Sequence, residues 1–333
     1  MNNKKSFVKS ILSVRGMGAA LTAFVGLIII YIAFGLINPK VFSGQNILNL
    51  LRSMSKYLLI GIGQSYVMIT GNIDLSIGSV VGMSAMITAT LMTHGVPAVL
   101  AVLIALVCGI AVGVVNGFLV GKFKLPPFIA TLGTMFVARG VGYMVDGNRN
   151  TDNIGITLGK DAADGFQNLF YYNKTLGIYN TFWIALVIFL IAFFILSKTR
   201  FGRHVYAIGS NIDAARLSGV DSVMVTVKVY LVSAFCAVVV GVILCAQAGM
   251  GNMEAGNMYE MYGVASGVIG GISPLGGSGL LLGTFAGASV WQTLENGLNM
   301  IGAQVGIQRI VIGVIVVVAV LMDVVLHSKT SKK

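Results

Sequence analysis

The sequence predicts an all-α, polytopic membrane protein with about ten transmembrane helices and both termini in the cytoplasm. Three observations carry this expectation. The chain of 333 residues is 56% hydrophobic and only 10% charged, against about 25% charged residues in ordinary soluble domains. Met17 to Pro39, Leu75 to Gly121 and Met261 to Leu294 contain no Asp, Glu, Lys or Arg, and each exceeds the roughly 20 residues a bilayer crossing needs. None of these runs alternates polar and apolar residues as barrel strands do.

The apolar periodicity and its interruptions place spans near 17–37, 55–72, 75–93, 97–121, 126–146, 177–197, 224–248, 259–272, 279–301 and 306–326. The first follows a basic segment, 1–16, with Lys4, Lys5, Lys9 and Arg15. Its apolar run is too long for a secretory leader, so it reads as a retained span. Pro126 and Pro127 suit the first turn of the fifth span.

Charge sets the orientation. Lys and Arg gather at the N-terminus, between Lys198 and Arg216, and at Lys329, Lys332 and Lys333. With the N-terminus inside, segment 197–222 and the tail are cytoplasmic. Segment 147–176, with Asp152, Asp161 and Asp164, is external. This follows the positive-inside rule. Lys40, Arg52 and Lys56 fall on the outer side, where they are expected to snorkel from a helix end. The net charge of +11 therefore reflects membrane flanks. No basic and aromatic interleaving suggests nucleic acid. One transmembrane domain, 1–333, accounts for the chain.

Two glycine series recur every four residues: Gly109, Gly113, Gly117, Gly121, and Gly279, Gly283, Gly287. Each is expected on one helix face, where small residues allow close helix packing. Cys108, Cys236 and Cys245 lie in apolar runs and read as small hydrophobes.

The interruptions hold the candidate functional residues. In GNIDLSIGS, Gly71 and Asn72 break one span and Asp74 has two readings. It caps the next helix, or its charge faces a polar pathway. GGISPLGGS, from residue 270, echoes this stretch with Gly, Ile, Gly and Ser in register. Paired interruptions in two halves mark transporter pathways. The candidate pathway set is Asn72, Asp74, Ser76, Gly78, Ser273, Pro274 and Gly277. Arg139, inside the fifth span, is expected to snorkel outward. Glu254 and Glu260 are expected in a solvated outer turn or a partner-facing rim.

Segment 197–222 is the most polar internal stretch. Asn211 is expected to cap a short helix through Asp213, Ala214, Ala215, Arg216 and Leu217, which Gly219 ends. Such a knob suits a docking partner. Catalysis is not expected. His94, His204 and His327 lack ligand spacing, no metal site is expected, and no GxxxxGK[ST] loop exists for ATP.

Four motifs, GNIDLSIGS, PPFIATLGTM, TRFGRHVYAIGSNIDAARLSGV and VIGGISPLGGSG followed by GTFAGA and ENGLNMIG, resemble those of permease subunits of bacterial ABC importers for simple sugars. They span nearly the whole chain in the family's order. The resemblance implies a transport protein of the bacterial inner membrane rather than an enzyme. It implies a second permease subunit, identical or paralogous, a cytoplasmic ATP-binding subunit, and an external sugar-binding protein. Membrane lipid surrounds the chain. No cofactor is expected on it, since ATP and Mg belong to the partner ATPase. Residues 211–219 would dock that partner. Family members often read GGIDLS where this chain has Asn72, and YELDAIAA where Tyr262 stands in YEMYGVASG. They usually lack a proline at the Pro274 position. These departures bear on the sugar rather than the role. The rival expectations are an ABC permease for a nucleoside or branched-chain amino acid, an ion-driven transporter, and a membrane enzyme.

Overall fold

The computed structural model describes residues 17–330. The basic segment 1–16 and Lys332 and Lys333 lie outside the described residues. Among those described, α1 (Met17–Ile37), α2 (Gly44–Ile69), α3 (Ile77–Thr93), α4 (Ala98–Gly121) and α5 (Pro127–Met144) come first. Segment 147–176 holds α6 (Ile154–Leu158), α7 (Lys160–Gln167) and a π-turn. A minimal hairpin, β1 (Lys174–Thr175) paired antiparallel with β2 (Ile178–Tyr179), follows. Then come α8 (Asn180–Lys198), α9 (Arg200–Ser210), α10 (Ile212–Leu217), α11 (Ser222–Ala248), α12 (Tyr259–Ile269), α13 (Leu281–Met300) and α14 (Val305–Thr330).

Local chemistry sets most boundaries. Ser43 caps α2, accepting a hydrogen bond from Asn46 N at 3.3 Å. Asp221 caps α11 in the same way, accepting from Met224 N at 2.9 Å. Gly71 ends α2 in the left-handed region at φ +76°. Gly71 N then donates to Met68 O and Asn72 N to Val67 O, the Schellman pairing.

Helices α1, α4, α8 and α11 are long and apolar enough to cross a membrane. The outer helices expose apolar side chains such as Ile29, Val107, Phe136 and Phe194. This belt suits lipid rather than water. Inside it, α2, α3 and α11 form the centre, with α12 and α13 packed on α2. Helix α12 has 11 residues, about 17 Å at 1.5 Å per residue. It is therefore shorter than the span expected over 259–272.

The α4 glycines face α11. A Cβ on Gly113 would meet the Tyr230 carbonyl, and one on Gly117 the Val227 backbone. Gly283 and Gly287 press on the backbones of Gly270 and Ser266. Gly279 corrects the expected series. It precedes α13 at φ +125°, a backbone conformation no helix accommodates.

Candidate functional site

Asp74 occupies the turn between α2 and α3. It does not begin α3, whose N-cap is Ser76. Its carboxylate nonetheless serves the start of α3, accepting from the backbone of Ser76 and Ile77. Oδ1 accepts from Ser76 N at 2.9 Å and Ser76 Oγ at 2.6 Å. Oδ2 accepts from Ser233 Oγ of α11 at 2.6 Å. Asn116 of α4 donates to Ser76 Oγ at 2.8 Å, and Thr134 of α5 donates to Asn116 Oδ1 at 2.6 Å. One buried carboxylate, 2% exposed, thereby ties the turn to α4, α5 and α11. Three short bonds supply the partners that a buried carboxyl group requires.

The second interruption, 270–280, repeats the first in backbone terms. Gly271 has φ +84°, Gly271 N donates to Val268 O, and Ile272 N donates to Gly267 O. The matching glycines are thus Gly71 and Gly271. That moves the sequence echo, which pairs Gly71 with Gly270, by one residue. The reason is geometric: the left-handed residue must follow the helix cap.

The two interruptions meet. Gly277 N donates to Ile69 O at 2.8 Å. A Cβ on Gly276 would crowd Gly71, and one on Gly277 would crowd Ser210 at the end of α9. Ser273 is buried, with its hydroxyl accepting from Leu275 N at 3.3 Å. Pro274 is exposed. Asn72 is half-buried and lines a small cavity with Thr70, Lys124 and Arg216.

That cavity joins the interruptions to segment 197–222. Asn211 caps α10, its Oδ1 accepting from Ala214 N at 2.9 Å. Ala215 faces inward, and Asp213 and Leu217 face solvent, Leu217 being 91% exposed. Arg216 Nε donates to Ser222 Oγ at 2.8 Å, and its guanidinium stands 3.7 Å from Asp213. Gly219, at φ +82°, ends the turn. The short helix α10 and helix α11 are therefore joined at Arg216.

At the other end of α11 the chain turns back into the bundle. After Gly249, in the left-handed region, residues 250–258 run down the side of α3. Gly251 lies by Ala89, Ala255 by Gly82, and Gly256 by Gly78. Arg139 secures this re-entrant stretch, donating to Met253 O at 3.1 Å and Ala255 O at 2.8 Å. It does not snorkel outward, because two inward carbonyls satisfy it. The stretch is a turn with one face on α3 and the other solvated, where Asn252, Asn257 and Met258 are exposed. Glu260 is half-buried against Gly78, although Glu254 remains exposed.

Between this stretch, α2 and α11 lies a cavity of about 400 Å3 with Lys56, Gln247, Asn252, Glu254, Asn257 and Tyr259 among its lining residues. Lys56 Nζ donates to Gln247 Oε1 at 3.2 Å, and Asn257 Nδ2 to Glu254 Oε2 at 3.2 Å. Lys56 lies 13 positions before Ile69 along α2, about 20 Å along that helix, whereas Gly256 at the other edge of the cavity abuts Gly78 of the first interruption. Neither Arg52 nor Lys56 sits at a helix end. The Arg52 guanidinium is sandwiched between Tyr171 and Tyr179 at 4.4 and 4.1 Å.

Sequence reasoning did not select Lys56, Gln247, Asn252, Asn257 or Tyr259 as site residues. The available signal was a lysine within an apolar region.

A model of the family described as branched-chain amino acid transport system / permease component matches residues 46–320. The chain is 38% identical to the ribose import permease protein RbsC of Bacillus subtilis, covering 92% of this chain and 94% of that protein. It is 36% identical to RbsC of Haemophilus influenzae, with the same coverage. With the D-allose transport system permease protein AlsC of Escherichia coli it shares 34% identity over 89% of each chain. No solved structure matches the chain. The apolar belt, the paired interruptions and these matches together place the chain in the branched-chain amino acid transport system / permease component family.

Proposed function

We propose that this chain is the membrane subunit of an ATP-driven importer for a simple sugar. In this reading it sits in the bacterial inner membrane, crosses it about ten times and keeps both termini inside. An external binding protein delivers the sugar, and a cytoplasmic ATPase drives a dimer of permease subunits. The chain performs no chemistry on its cargo and carries no ATP or Mg itself.

The observation that carries the mechanism is the placement of α11. Its first residue, Ser222, is bonded to Arg216 beside the docking knob. Its middle residue, Ser233, is bonded to Asp74. Near its last turn, Gln247 lines the cavity. A 27-residue helix is about 40 Å long. Displacement of α10 by an ATPase thus reaches both the interruptions and the cavity through one rigid element. ATP binding favours one arrangement of that element, and its release the other.

The sugar assignment is supported by the relatives named for ribose and allose. The family description favours a second cargo, a branched-chain amino acid. Reconstitution into liposomes with the ATPase and binding protein decides between them. ATP-dependent uptake of radiolabelled ribose or allose supports the proposal. Uptake of leucine alone, or uptake without the ATPase, overturns it.

A further inference from the structure

We infer that the cavity beside the re-entrant stretch is a cargo subsite for a polyhydroxyl compound. Gln247, Asn257 and Tyr259 set its preference. This deepens the sugar-importer reading and rests on it.

The argument begins with unused hydrogen-bonding groups. Gln247 Oε1 holds Lys56 and its backbone carbonyl accepts from Tyr172 at 3.0 Å. Among the described residues, Gln247 Nε2 has no partner. Asn252 is exposed; its Oδ1 accepts from Glu254 N at 2.8 Å, and its Nδ2 has no partner among the described residues. Asn257 is exposed too; its Nδ2 serves Glu254, and its Oδ1 has no partner among the described residues. The Tyr259 hydroxyl likewise makes no bond to a described residue. The cavity wall therefore offers two amide donors, one amide acceptor and one phenol.

The charges in the wall are partly engaged. Lys56 gives one of its three ammonium donors to Gln247. The Glu254 carboxylate accepts from Asn257, and from Tyr143 at 3.3 Å. The spare capacity is thus rich in hydrogen-bonding groups, mixed in donors and acceptors, and spread over the wall. A hydroxyl both donates and accepts, so a polyol satisfies such a wall. An aliphatic side chain does not, because it would leave these groups unpaired.

Tyr259 supplies a rigid face. Its ring packs against Tyr57 at 6.0 Å and Tyr262 at 5.5 Å. Tyr57 is in turn fixed by its hydroxyl bond to Glu295 at 2.7 Å. A held aromatic beside convergent amides is the make-up of a specific small-molecule pocket, and about 400 Å3 lies within the usual size range. The position also suits delivery. The cavity lies at the end of α11 that segment 147–179 covers, through Ile154 N to Gly249 O and Thr151 N to Gly251 O.

The test uses the complete transporter in liposomes with saturating binding protein loaded with D-ribose or D-allose. Under those conditions the binding protein's own affinity drops out. Gln247→Ala and Asn257→Ala are expected to lower the uptake rate about tenfold each, the effect of one lost hydrogen bond. Binding-protein-stimulated ATP hydrolysis is expected to persist, which a merely structural defect would not allow. Tyr259→Phe removes only a hydroxyl and serves if an alanine variant fails to assemble. It is expected to change the ratio of D-ribose to D-allose uptake. Wild-type sugar uptake, with all three variants matching it in rate and preference, overturns the subsite and leaves the importer reading intact. A wild type that takes up leucine and no sugar overturns the importer reading itself.

Discussion

Ser233 donates its hydroxyl to Asp74 Oδ2 at 2.6 Å, joining residues 159 positions apart in the buried centre of the bundle. Asp74 is the one acidic residue in its apolar region, and the bond explains what it is doing there. Its carboxylate fastens the turn after α2 to the middle of α11.

Removing either partner exposes the other. Asp74→Ala is expected to lower stability by about 2–3 kcal/mol, since the buried Ser76 and Ser233 hydroxyls then lose their acceptor. Ser233→Ala is expected to cost about 1 kcal/mol. The double variant should cost less than the sum. Thermal unfolding of the purified permease measures all three. Strict additivity would show that the two residues do not act on each other. Asp74→Asn, which keeps one acceptor oxygen and cannot ionise, should retain uptake if the residue only holds the turn.

The docking knob offers a cleaner separation. Leu217 is 91% exposed, so Leu217→Asp disturbs nothing within the chain. It is expected to reduce ATPase co-purification at least tenfold, as loss of an apolar interface anchor does. Arg216→Glu removes the bond to Ser222 and brings two carboxylates together with Asp213. It is expected to leave the protein folded and to uncouple ATP hydrolysis from uptake. Unchanged coupling in both variants would remove 211–219 from the interface.

The re-entrant stretch depends on Arg139. Arg139→Ala releases the carbonyls of Met253 and Ala255, and residues 250–258 should then become mobile. A cysteine at Asn252 should react faster with a membrane-impermeant maleimide in the Arg139→Ala background than without it. Equal rates would show that the stretch is held by other contacts.

Close backbone approach separates glycines that look alike. Gly287→Val drives a side chain into the Ser266 carbonyl and should abolish stable expression. At Gly133 an added Cβ would meet nothing within 4 Å. That position should accept alanine with less than about 0.5 kcal/mol of change, as exposed sites do. Membrane yield and melting temperature distinguish the two.

Much of this was readable from local chemistry. Asn211, Asp213 and Gly219 mark a short capped helix because capping is decided within four residues. The α4 glycines face one partner because a period of four is a property of one helix. The cavity was not readable in this way. Lys56 and Gln247 meet across 191 residues, and only packing of α2 on α11 brings them together. Arg139 gave the wrong impression for a related reason. Its satisfaction comes from carbonyls more than a hundred residues away, in a stretch whose path no local rule determines.

The amino-acid sequence by itself determined the membrane class, most of the long helical segments, the interruptions and the short capped helix at 212–217. Those follow from hydropathy, helix period and terminal hydrogen bonding, which act over a few residues. Only the tertiary structure decided that Asp74 binds α11 and that residues 250–258 return into the bundle. It alone brought Gly71 and Gly276 together and surrounded one cavity with amides from distant segments. The reason is that a buried polar group must find its partner somewhere, and where that partner lies is fixed by how the helices pack.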